Sequence, residues 1–138
     1  MNVKNVMNPK NVLVNPSTSI KDAASRMAED KVGFLPVGEN DRLQGTVTDR
    51  DIVVRAICFG KDPQNTAIRD VLTDELVCCS EDDDVEQAAQ KMDQHQVRRL
   101  PVVDNDKRFV GVVSIGDLAQ HVDASTAGKV LSGVTGWG

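Results

Sequence analysis

The sequence predicts an α/β (α+β) fold in which one β-α-β-β-α unit occurs twice around a shared core. The first observation is an internal repeat, since residues 45–51 are echoed by residues 111–117. The preceding residues repeat as well, 20–37 onto 85–102, and a period of this size indicates duplicated structural units. The second observation is length: 138 residues suit one domain, and each half alone would be marginally stable. We therefore expect the halves to share one core.

The elements of the first half follow from local patterns. Four apolar residues recur at the spacing of one helix face: Ile20, Ala23, Ala24 and Met27. This spacing predicts an amphipathic helix, and two apolar runs separated by residues 39–41 predict a β-hairpin. In order, the predicted elements are a strand at 12–14, the helix at 20–29, strands at 34–37 and 43–47, and a helix from Thr48 that ends before Gly60.

The second half repeats this order and then changes in composition. Its predicted elements are a short helix at 67–72, a strand at 76–79, a helix at 83–94, strands at 100–103 and 109–113, and a helix from Ser114. The chain after His121 is rich in Ala, Ser and Gly, which predicts a further helix at 124–131 and a loosely ordered end at 132–138. The sequence therefore divides into a first motif at 6–62, a second motif at 67–122, and a C-terminal helix or flexible tail at 123–138.

Composition argues against several classes of function. The net charge is −5, whereas a nucleic-acid partner held by general electrostatics needs a basic face. No apolar run approaches the ~20 residues that span a bilayer, and the N-terminus lacks the apolar core of a signal peptide. We therefore expect a cytoplasmic protein that binds neither nucleic acid nor membrane. Its three cysteines, Cys58, Cys78 and Cys79, lack C-x-x-C spacing and are expected to be buried or half-buried free thiols.

Thr48-x-x-Asp51 and Ser114-x-x-Asp117 are the polar parts of the repeat, and two interpretations fit them. A Ser or Thr followed three residues later by an acid is typical of a helix capping box, which needs no ligand. The same helix start offers N–H groups and a positive dipole end to an anion, and its acid can accept hydrogen bonds from a ribose. A matched glycine precedes both motifs, and this favours ligand binding because a cap does not require the whole context to recur.

Together these features resemble a tandem pair of cystathionine-β-synthase (CBS) domains, often called a Bateman module, over about residues 6–122. The resemblance rests on the doubled β-α-β-β-α unit, on the Leu-Pro-Val turns at 35–37 and 100–102, and on two G-h-h-[ST]-x-x-D motifs. Three further stretches are similar to small stand-alone CBS-pair proteins of the mycobacterial hypoxic-response type: residues 48–53, 60–63 and 95–99.

The resemblance implies a cleft between the two motifs that binds an adenosine-containing ligand such as AMP, ADP, ATP or S-adenosylmethionine. By position, Asp51 and Asp117 would accept the ribose hydroxyls, while Thr48 and Ser114 would lie at the phosphates. The residues implied to enclose the base are Gly33, Phe34, Leu35 and Pro36 in the first motif, and Arg98, Arg99, Leu100 and Pro101 in the second.

Three positions bear on how alike the two implied sites are. Leu13 and Cys78 stand at the first-strand position where the family often has Thr, so a polar contact is missing there. Arg50 lies in the first turn of the first-motif helix and is a candidate phosphate ligand, whereas its counterpart Gly116 carries no charge. We therefore expect the first site to favour a polyphosphate. Of the adjacent Arg98 and Arg99, one could face the cleft, or both could be surface residues.

Other polar groups fit structural roles better than catalytic or metal-binding ones. The acidic run at 81–84 falls at a helix start, where acids favour the helix dipole. His95 and His121 have no partner at metal-ligand spacing. Cys78 and Cys79 could form a redox pair, but neighbouring strand residues point to opposite faces, so partial burial fits better. No nucleophile–base motif occurs, so we expect no enzymatic activity, no cofactor and no metal.

The sequence thus predicts a non-catalytic sensor or regulatory module for an adenine nucleotide. The resemblance also implies a homodimer, for which apolar helix faces could supply the contact, and we expect its ligand-dependent conformation to be read by a partner protein. The alternative is a structural or interaction dimer without a functional ligand site, in which the T/S-x-x-D motifs serve only as helix caps.

Overall fold

The computed structural model describes residues 1–9 and 13–134. These residues form two compact units that alternate along the chain. The first-repeat unit contains residues 13–76, and the second-repeat unit contains residues 1–9 together with 77–134. Within the ranges that the structure describes, no helix is long and apolar enough to cross a bilayer.

The helices and strands alternate in the order expected of a duplicated unit. In chain order they are β1 (Asn8–Pro9), α1 (Ile20–Asp30), β2 (Phe34–Glu39), β3 (Arg42–Thr48), α2 (Asp49–Arg55), β4 (Cys79–Ser80), α3 (Val85–His95), β5 (Arg99–Val103), β6 (Phe109–Ser114), α4 (Ile115–Leu118) and α5 (Ala124–Val134). Short 3₁₀ turns precede β1, follow α2 and precede β4. The mixed α/β fold with two repeated motifs is thereby confirmed.

The first-repeat unit is built on an antiparallel hairpin of β2 and β3, which confirms the predicted β-hairpin. Its turn contains Asn40 and Asp41, both with positive φ (53° and 62°). Asn and Asp tolerate this left-handed conformation better than other residues, and two such residues match the twist of the strands they join. The hairpin places Phe34 opposite Thr48, at the end of β3 where α2 begins.

The second-repeat unit has a four-stranded sheet in the order β1-β6-β5-β4. Strands β5 and β6 form the counterpart of the β2–β3 hairpin, with Arg99 opposite Ser114. Strand β4 pairs in parallel with β5, and β1 adds to β6 from the N-terminal end of the chain. The unit therefore depends on residues about 100 positions apart in the sequence, such as Asn8 and Val112.

We call residues 7–9 and 71–74 the crossover segments, because each lies just before the chain passes into the other unit. Each segment packs along the last hairpin strand of its unit. The Thr73 N–H donates to the Thr46 carbonyl (2.9 Å), and the Thr46 N–H donates to the Thr73 carbonyl (3.1 Å), while Asn8 pairs with Val112. The sequence did not indicate these pairings, because two-residue strands carry no periodicity.

Buried residues form two clusters, one in each compact unit, where the sequence led us to expect one core shared by both halves. One cluster belongs to the first-repeat unit and includes Ile68 and Val71 from beyond the first motif. The other belongs to the second-repeat unit and includes Val3 from the N-terminal segment. Each hairpin buries its apolar face against the helices of its own unit. A segment from outside the sequence repeat then completes each core.

The two long helices confirm the predicted apolar stripes, with one exception. In α3 all four stripe residues are buried, but in α1 the equivalent Ala24 is exposed while its three companions are buried. Helix α5 packs on α3, and its Val130 is fully buried. The first-repeat unit has no equivalent of α5 within residues 13–76.

Four shorter predictions differ from the structure. The strand predicted at 12–14 is a single bridge from Val14 to Val37, with Val12 outside the described residues. The helix predicted at 67–72 is the 3₁₀ turn Ile68–Asp70, and the strand predicted at 76–79 is β4. The end of the chain predicted to be loose is helical at 132–134, and residues 135–138 lie outside the description. Runs of three or four apolar residues do not distinguish strand, turn and helix.

Candidate functional site

The first motif is a closed capping box at the junction of β3 and α2. The Asp51 N–H donates to Thr48 Oγ1 (3.1 Å), and the Thr48 N–H donates to Asp51 Oδ2 (2.9 Å). Thr48 is extended (φ −116°, ψ 163°), as both the last residue of β3 and the N-cap of α2, and its side chain caps the first helical turn. The cap interpretation is therefore confirmed for this motif, and Asp51 Oδ1 is the oxygen that the cap does not use.

The second motif has the same geometry at the junction of β6 and α4. The Asp117 N–H donates to Ser114 Oγ (3.1 Å), and the Ser114 N–H donates to Asp117 Oδ2 (2.8 Å). Ser114 has nearly the same backbone conformation as Thr48 (φ −110°, ψ 162°). The two motifs are thus structural equivalents, each presenting an acid whose second oxygen lies outside the cap.

Backbone hydrogen bonds bring the predicted base-enclosing residues next to each motif. The Asp49 N–H donates to the Gly33 carbonyl (3.0 Å), and the Ile115 N–H donates to the Arg98 carbonyl (2.8 Å). Within each unit, the start of the hairpin therefore adjoins the start of the motif helix. A Cβ at Gly33 would lie 2.6 Å from Asp49 Oδ2, so a larger residue there would displace the end of this exposed side chain.

Four of the predicted base-enclosing residues are buried. Leu35 and Leu100 are core residues (5% and 1% exposed), and Pro36 and Pro101 are buried beside them. Their side chains pack inside each unit, so only their backbone could approach a ligand. Phe34 is half-buried, and Arg98 and Arg99 are both exposed.

The first-strand positions lie close to the hairpins, as the repeat predicts. Leu13 is half-buried and precedes Val14, whose N–H donates to the Pro36 carbonyl (3.0 Å). Cys78 is half-buried and precedes Cys79, which pairs with Val102 in β5. The burial predicted for the cysteines is confirmed for Cys78 and Cys79, but it is wrong for Cys58, which is exposed.

Burial raises the pKa of both thiols. For Cys78 burial outweighs the opposing effect of the Lys91 charge, and Lys91 Nζ also donates to the Cys78 carbonyl (2.8 Å). For Cys79 burial, with a smaller contribution from the negative Asp83, raises the pKa to about 12. Neither thiol is a ready nucleophile at neutral pH, because the reactive form is the thiolate.

The first turns of the two motif helices differ in charge. The first-repeat unit presents exposed Asp49 and Arg50, whereas the equivalent positions in the second-repeat unit are the buried Ile115 and the exposed Gly116. The Arg50 N–H donates to Asp49 Oδ1 (2.8 Å). Two capping boxes of nearly equal geometry therefore adjoin chemically different surfaces.

Each motif acid has one further partner that sequence reasoning missed. Asp51 Oδ1 lies 3.8 Å from Arg55 Nε, and Asp117 Oδ2 receives a hydrogen bond from Asn8 Nδ2 (3.4 Å). The spacing of Arg55 four residues after Asp51 could have indicated the first contact. No local pattern could indicate the second, because Asn8 and Asp117 are far apart in sequence.

The acidic run at 81–84 serves local structure, in agreement with its placement at a helix start. Asp84 caps α3 by accepting the Glu86 N–H (3.2 Å), Asp83 accepts the Ser80 N–H (3.0 Å), and Asp82 pairs with Lys4 (3.1 Å). Over residues 1–9 and 13–134, no three His, Cys, Asp or Glu side chains are grouped so that they could hold a metal ion.

The chain belongs to the CBS domain family, whose model matches residues 3–56 and 68–124. Two such matches in one chain define a CBS-pair protein. The chain is 40% identical to the CBS domain-containing protein YhcV of Bacillus subtilis over 134 residues, covering 96% of this chain and 94% of YhcV. It is 33% identical to hypoxic response protein 1 of Mycobacterium tuberculosis over 120 residues, covering 86% and 83%.

The chain also matches part of a larger enzyme. The inosine-5′-monophosphate dehydrogenase of Methanocaldococcus jannaschii is 33% identical over 111 residues, but these are 80% of this chain and only 21% of the enzyme. YhcV and hypoxic response protein 1, by contrast, are matched over most of their length.

Solved CBS-pair structures share this fold and include ligand complexes. Hypoxic response protein I with two coordinated zinc ions has a TM-score of 0.81 at 31% identity, covering 89% of this chain and 100% of that one. CBSX2 in complex with AMP has a TM-score of 0.74 at 29% identity, covering 86% and 93%. The CBS pair of protein MJ0100, in complex with 5′-methylthioadenosine and S-adenosyl-L-methionine, has a TM-score of 0.73 at 29% identity, covering 87% and 94%.

Proposed function

We propose that this CBS-pair protein is a non-catalytic sensor of an adenine nucleotide or a related adenosyl ligand. The observation that carries the proposal is the matched pair of capping boxes, in which Asp51 and Asp117 each keep one carboxylate oxygen outside the cap. A fixed carboxylate is a suitable acceptor for the two hydroxyls of a ribose. The AMP and S-adenosylmethionine complexes of CBSX2 and MJ0100 support the ligand class.

Within this proposal the first-repeat unit is the better site for a polyphosphate. Arg50 is exposed beside the Thr48 cap, and the equivalent Gly116 offers no charge. A guanidinium pairs with phosphate oxygens through two parallel hydrogen bonds. Substituting Arg50→Ala should therefore weaken ATP binding more than AMP binding, and equal ATP affinity in calorimetry would remove this part of the proposal.

Ligand-dependent thermal unfolding provides the first test. A ligand that binds only the folded state stabilises it, by about 2.7 kcal/mol at a concentration one hundred times its dissociation constant. AMP, ADP, ATP, NAD and S-adenosylmethionine at millimolar concentration should be compared, and at least one adenosyl ligand should raise the melting temperature. If none does, the proposed function is wrong.

The motif acids should then be neutralised without removing the cap. Asp51→Asn and Asp117→Asn retain an oxygen that can accept the Thr48 or Ser114 N–H, but they lose the charge and one acceptor. Asp22→Asn is the matched control, since Asp22 is also an acid in the first turn of a helix in the first-repeat unit. We expect the ligand-induced shift to fall in one or both motif variants and to persist in the control.

A structural or interaction dimer is the second candidate, and one observation favours it. Both capping boxes are complete without any ligand, so the motifs already have a role in stabilising α2 and α4. Caps of this kind typically contribute about 1 kcal/mol each. Under this candidate function, Asp51→Asn and Asp117→Asn would alter stability alone, with no ligand effect in the unmodified protein.

Under either candidate function we propose that the protein is a homodimer. The end of α2 and the following 3₁₀ turn expose three large apolar side chains, Val53, Ile57 and Phe59 (55%, 50% and 73% exposed). Light scattering should give a dimer mass for the wild type and a lower mass for Ile57→Lys. Leu76→Lys is the control, because Leu76 is similarly exposed (47%) outside this surface. A monomeric wild type would contradict the dimer.

A further inference from the structure

We propose that Arg55 and Asn8 are positioning residues that connect each motif aspartate to the crossover segment of its unit. The inference rests on the proposed function, since it assigns to these residues the orientation of the two carboxylates that would hold a ribose. It also goes further, because it names the part of the chain through which ligand occupancy would be transmitted.

In the first-repeat unit Arg55 joins two parts of the structure. Its Nε lies 3.8 Å from Asp51 Oδ1, while its Nη1 donates to the carbonyls of Val71 (3.3 Å) and Leu72 (3.2 Å). Asp51 is only 13% exposed, so its carboxylate is held in place, whereas Arg55 is 49% exposed and can adjust. At 3.8 Å the contact is an ion pair rather than a hydrogen bond, and Oδ1 retains its capacity to accept one.

In the second-repeat unit the crossover segment contacts the motif aspartate directly. Asn8, in crossover segment 7–9, donates from Nδ2 to Asp117 Oδ2 (3.4 Å). The position equivalent to Arg55 is His121, which is exposed. The motif aspartate therefore contacts a cation in the first-repeat unit and a neutral amide in the second-repeat unit, although the two capping boxes have the same hydrogen bonds.

These contacts couple the ligand site to the crossover segments. Arg55 contacts both Asp51 and the carbonyls of Val71 and Leu72. A ligand that binds this orientation of the Asp51 carboxylate therefore also favours the conformation in which segment 71–74 is bonded to Arg55. The coupling is reciprocal, so loosening the segment lowers ligand affinity. Because the Arg55 ion pair is partly exposed, the effect is small, about a two- to fivefold change in dissociation constant.

Two variants of Arg55 separate positioning from simple stability. Arg55→Gln removes the charge, and Arg55→Lys keeps the charge beside Asp51, although a single ammonium cannot also reach both carbonyls as the guanidinium does. Arg26→Gln is the matched control, since Arg26 pairs with Asp30 at the same i, i+4 spacing in α1. Affinity for AMP and ATP is measured by calorimetry, and amide hydrogen exchange is followed at Thr46 and Thr73, whose N–H groups hold segment 71–74 to β3.

We expect ligand to slow exchange at Thr73 in the wild type and in Arg26→Gln. In Arg55→Gln the dissociation constant should rise about two- to fivefold, with the ligand-dependent protection at Thr73 lost. Arg55→Lys should recover part of the affinity, through its charge beside Asp51, but not this protection. Equal affinity and equal protection in wild type and Arg55→Gln would overturn the inference alone. A wild-type protein that binds no adenosyl ligand would overturn the proposed function and this inference together.

Discussion

At the scale of single residues, the glycine that precedes each motif has a packing role. A Cβ at Gly45 would lie 2.4 Å from the Thr73 carbonyl oxygen, and a Cβ at Gly111 would lie 2.3 Å from that of Asn8. Both contacts are with a crossover segment. The recurrence of this glycine therefore follows from the close approach of two backbones, and it does not by itself argue for a ligand.

Replacing Gly111 should accordingly be costly, while replacing Gly116 should not. In Gly111→Ala the new methyl group displaces β1, and overpacking of this kind costs about 1–3 kcal/mol. In Gly116→Ala the methyl group meets only Ser114 Oγ at 3.5 Å, an ordinary contact, and Ala favours the helix by roughly 0.5–1 kcal/mol. Urea unfolding of both variants measures the difference, and equal stabilities would contradict the close approach.

The buried thiol of Cys79 makes stability depend on alkaline pH. Its pKa is raised from 9.0 to about 12, so above pH 9 the unfolded state loses this proton while the folded state keeps it. The folded state then binds more protons, and the free energy of unfolding falls by up to about 1.4 kcal/mol per pH unit as pH rises from 9 towards 12.

Urea unfolding between pH 8 and 10.5 tests this dependence. Cys79→Ala should show a shallower decline of stability above pH 9 than the wild type. Cys58→Ala should decline as the wild type does, because Cys58 is exposed. Parallel curves for Cys79→Ala and wild type would show that the thiol does not carry the effect.

The sequence predicted the two capping boxes well because their arrangement is local. Thr48 and Asp51 lie one helical turn apart, so their spacing alone specifies the capping box. Asn8 could not be predicted as a partner of Asp117, since only the pairing of β1 with β6 brings them together. The burial of Leu35 and Leu100 likewise depends on which face of each hairpin meets the helices.

At the scale of elements, α1 and α3 end in the same way. Lys31 and Gln96 follow the last helical residue with positive φ (55° and 54°), and the Lys31 N–H donates to the Met27 carbonyl. This left-handed cap is usually glycine, because a side chain adds steric strain there. Both helices therefore keep a conformation that their sequence does not favour.

Substituting Lys31→Gly should stabilise the first-repeat unit. Relief of the left-handed strain contributes about 1–2 kcal/mol, which the greater freedom of glycine in the unfolded chain offsets by roughly 0.5–1 kcal/mol. A net gain of a few tenths to about 1 kcal/mol is expected in urea unfolding. Ala24→Gly is the control, because glycine within α1 should destabilise by about 1 kcal/mol. Destabilisation by Lys31→Gly would mean that this cap is not strained.

Long helices and tight turns were predictable for a physical reason. Eleven residues of α1 or α3 display a complete apolar stripe, and Asn40-Asp41 marks a turn by its own conformational tolerance. Strands of two residues, such as β1 and β4, display no alternation, so tertiary contacts alone specify them. The exposure of Ala24 similarly depends on whether another helix covers it.

At the scale of the whole molecule, the compact units do not coincide with the repeats read along the sequence. Residues 1–9 belong to the second-repeat unit, and residues 67–76 belong to the first-repeat unit. Each core therefore depends on a segment from outside its repeat. Val3 is fully buried in the second-repeat unit, and Ile68 is fully buried in the first-repeat unit. The repeat identifies which residues are equivalent, but the crossover segments determine which residues fold together.

Two fragments of nearly equal length distinguish the compact unit from the sequence repeat. Fragment 13–76 keeps Ile68, Val71 and the paired backbones of Thr46 and Thr73, whereas fragment 1–62 lacks all of these except Thr46. Full burial of an Ile or Val side chain contributes about 1.5–3 kcal/mol, and losing two of them removes much of the roughly 5 kcal/mol that a small domain has.

We expect fragment 13–76 to unfold cooperatively in thermal circular dichroism and to give dispersed amide resonances. Fragment 1–62 should show neither, because its residues 1–9 have lost their partner strand β6 and its hairpin has lost segment 71–74. The variant Ile68→Ala of fragment 13–76 is the control, and it should melt at a lower temperature. If fragment 1–62 proved as stable as fragment 13–76, the repeat rather than the compact unit would be the folding unit. The coupling proposed for Arg55 would then lose its structural basis, since segment 71–74 would not be needed by the unit that contains Asp51.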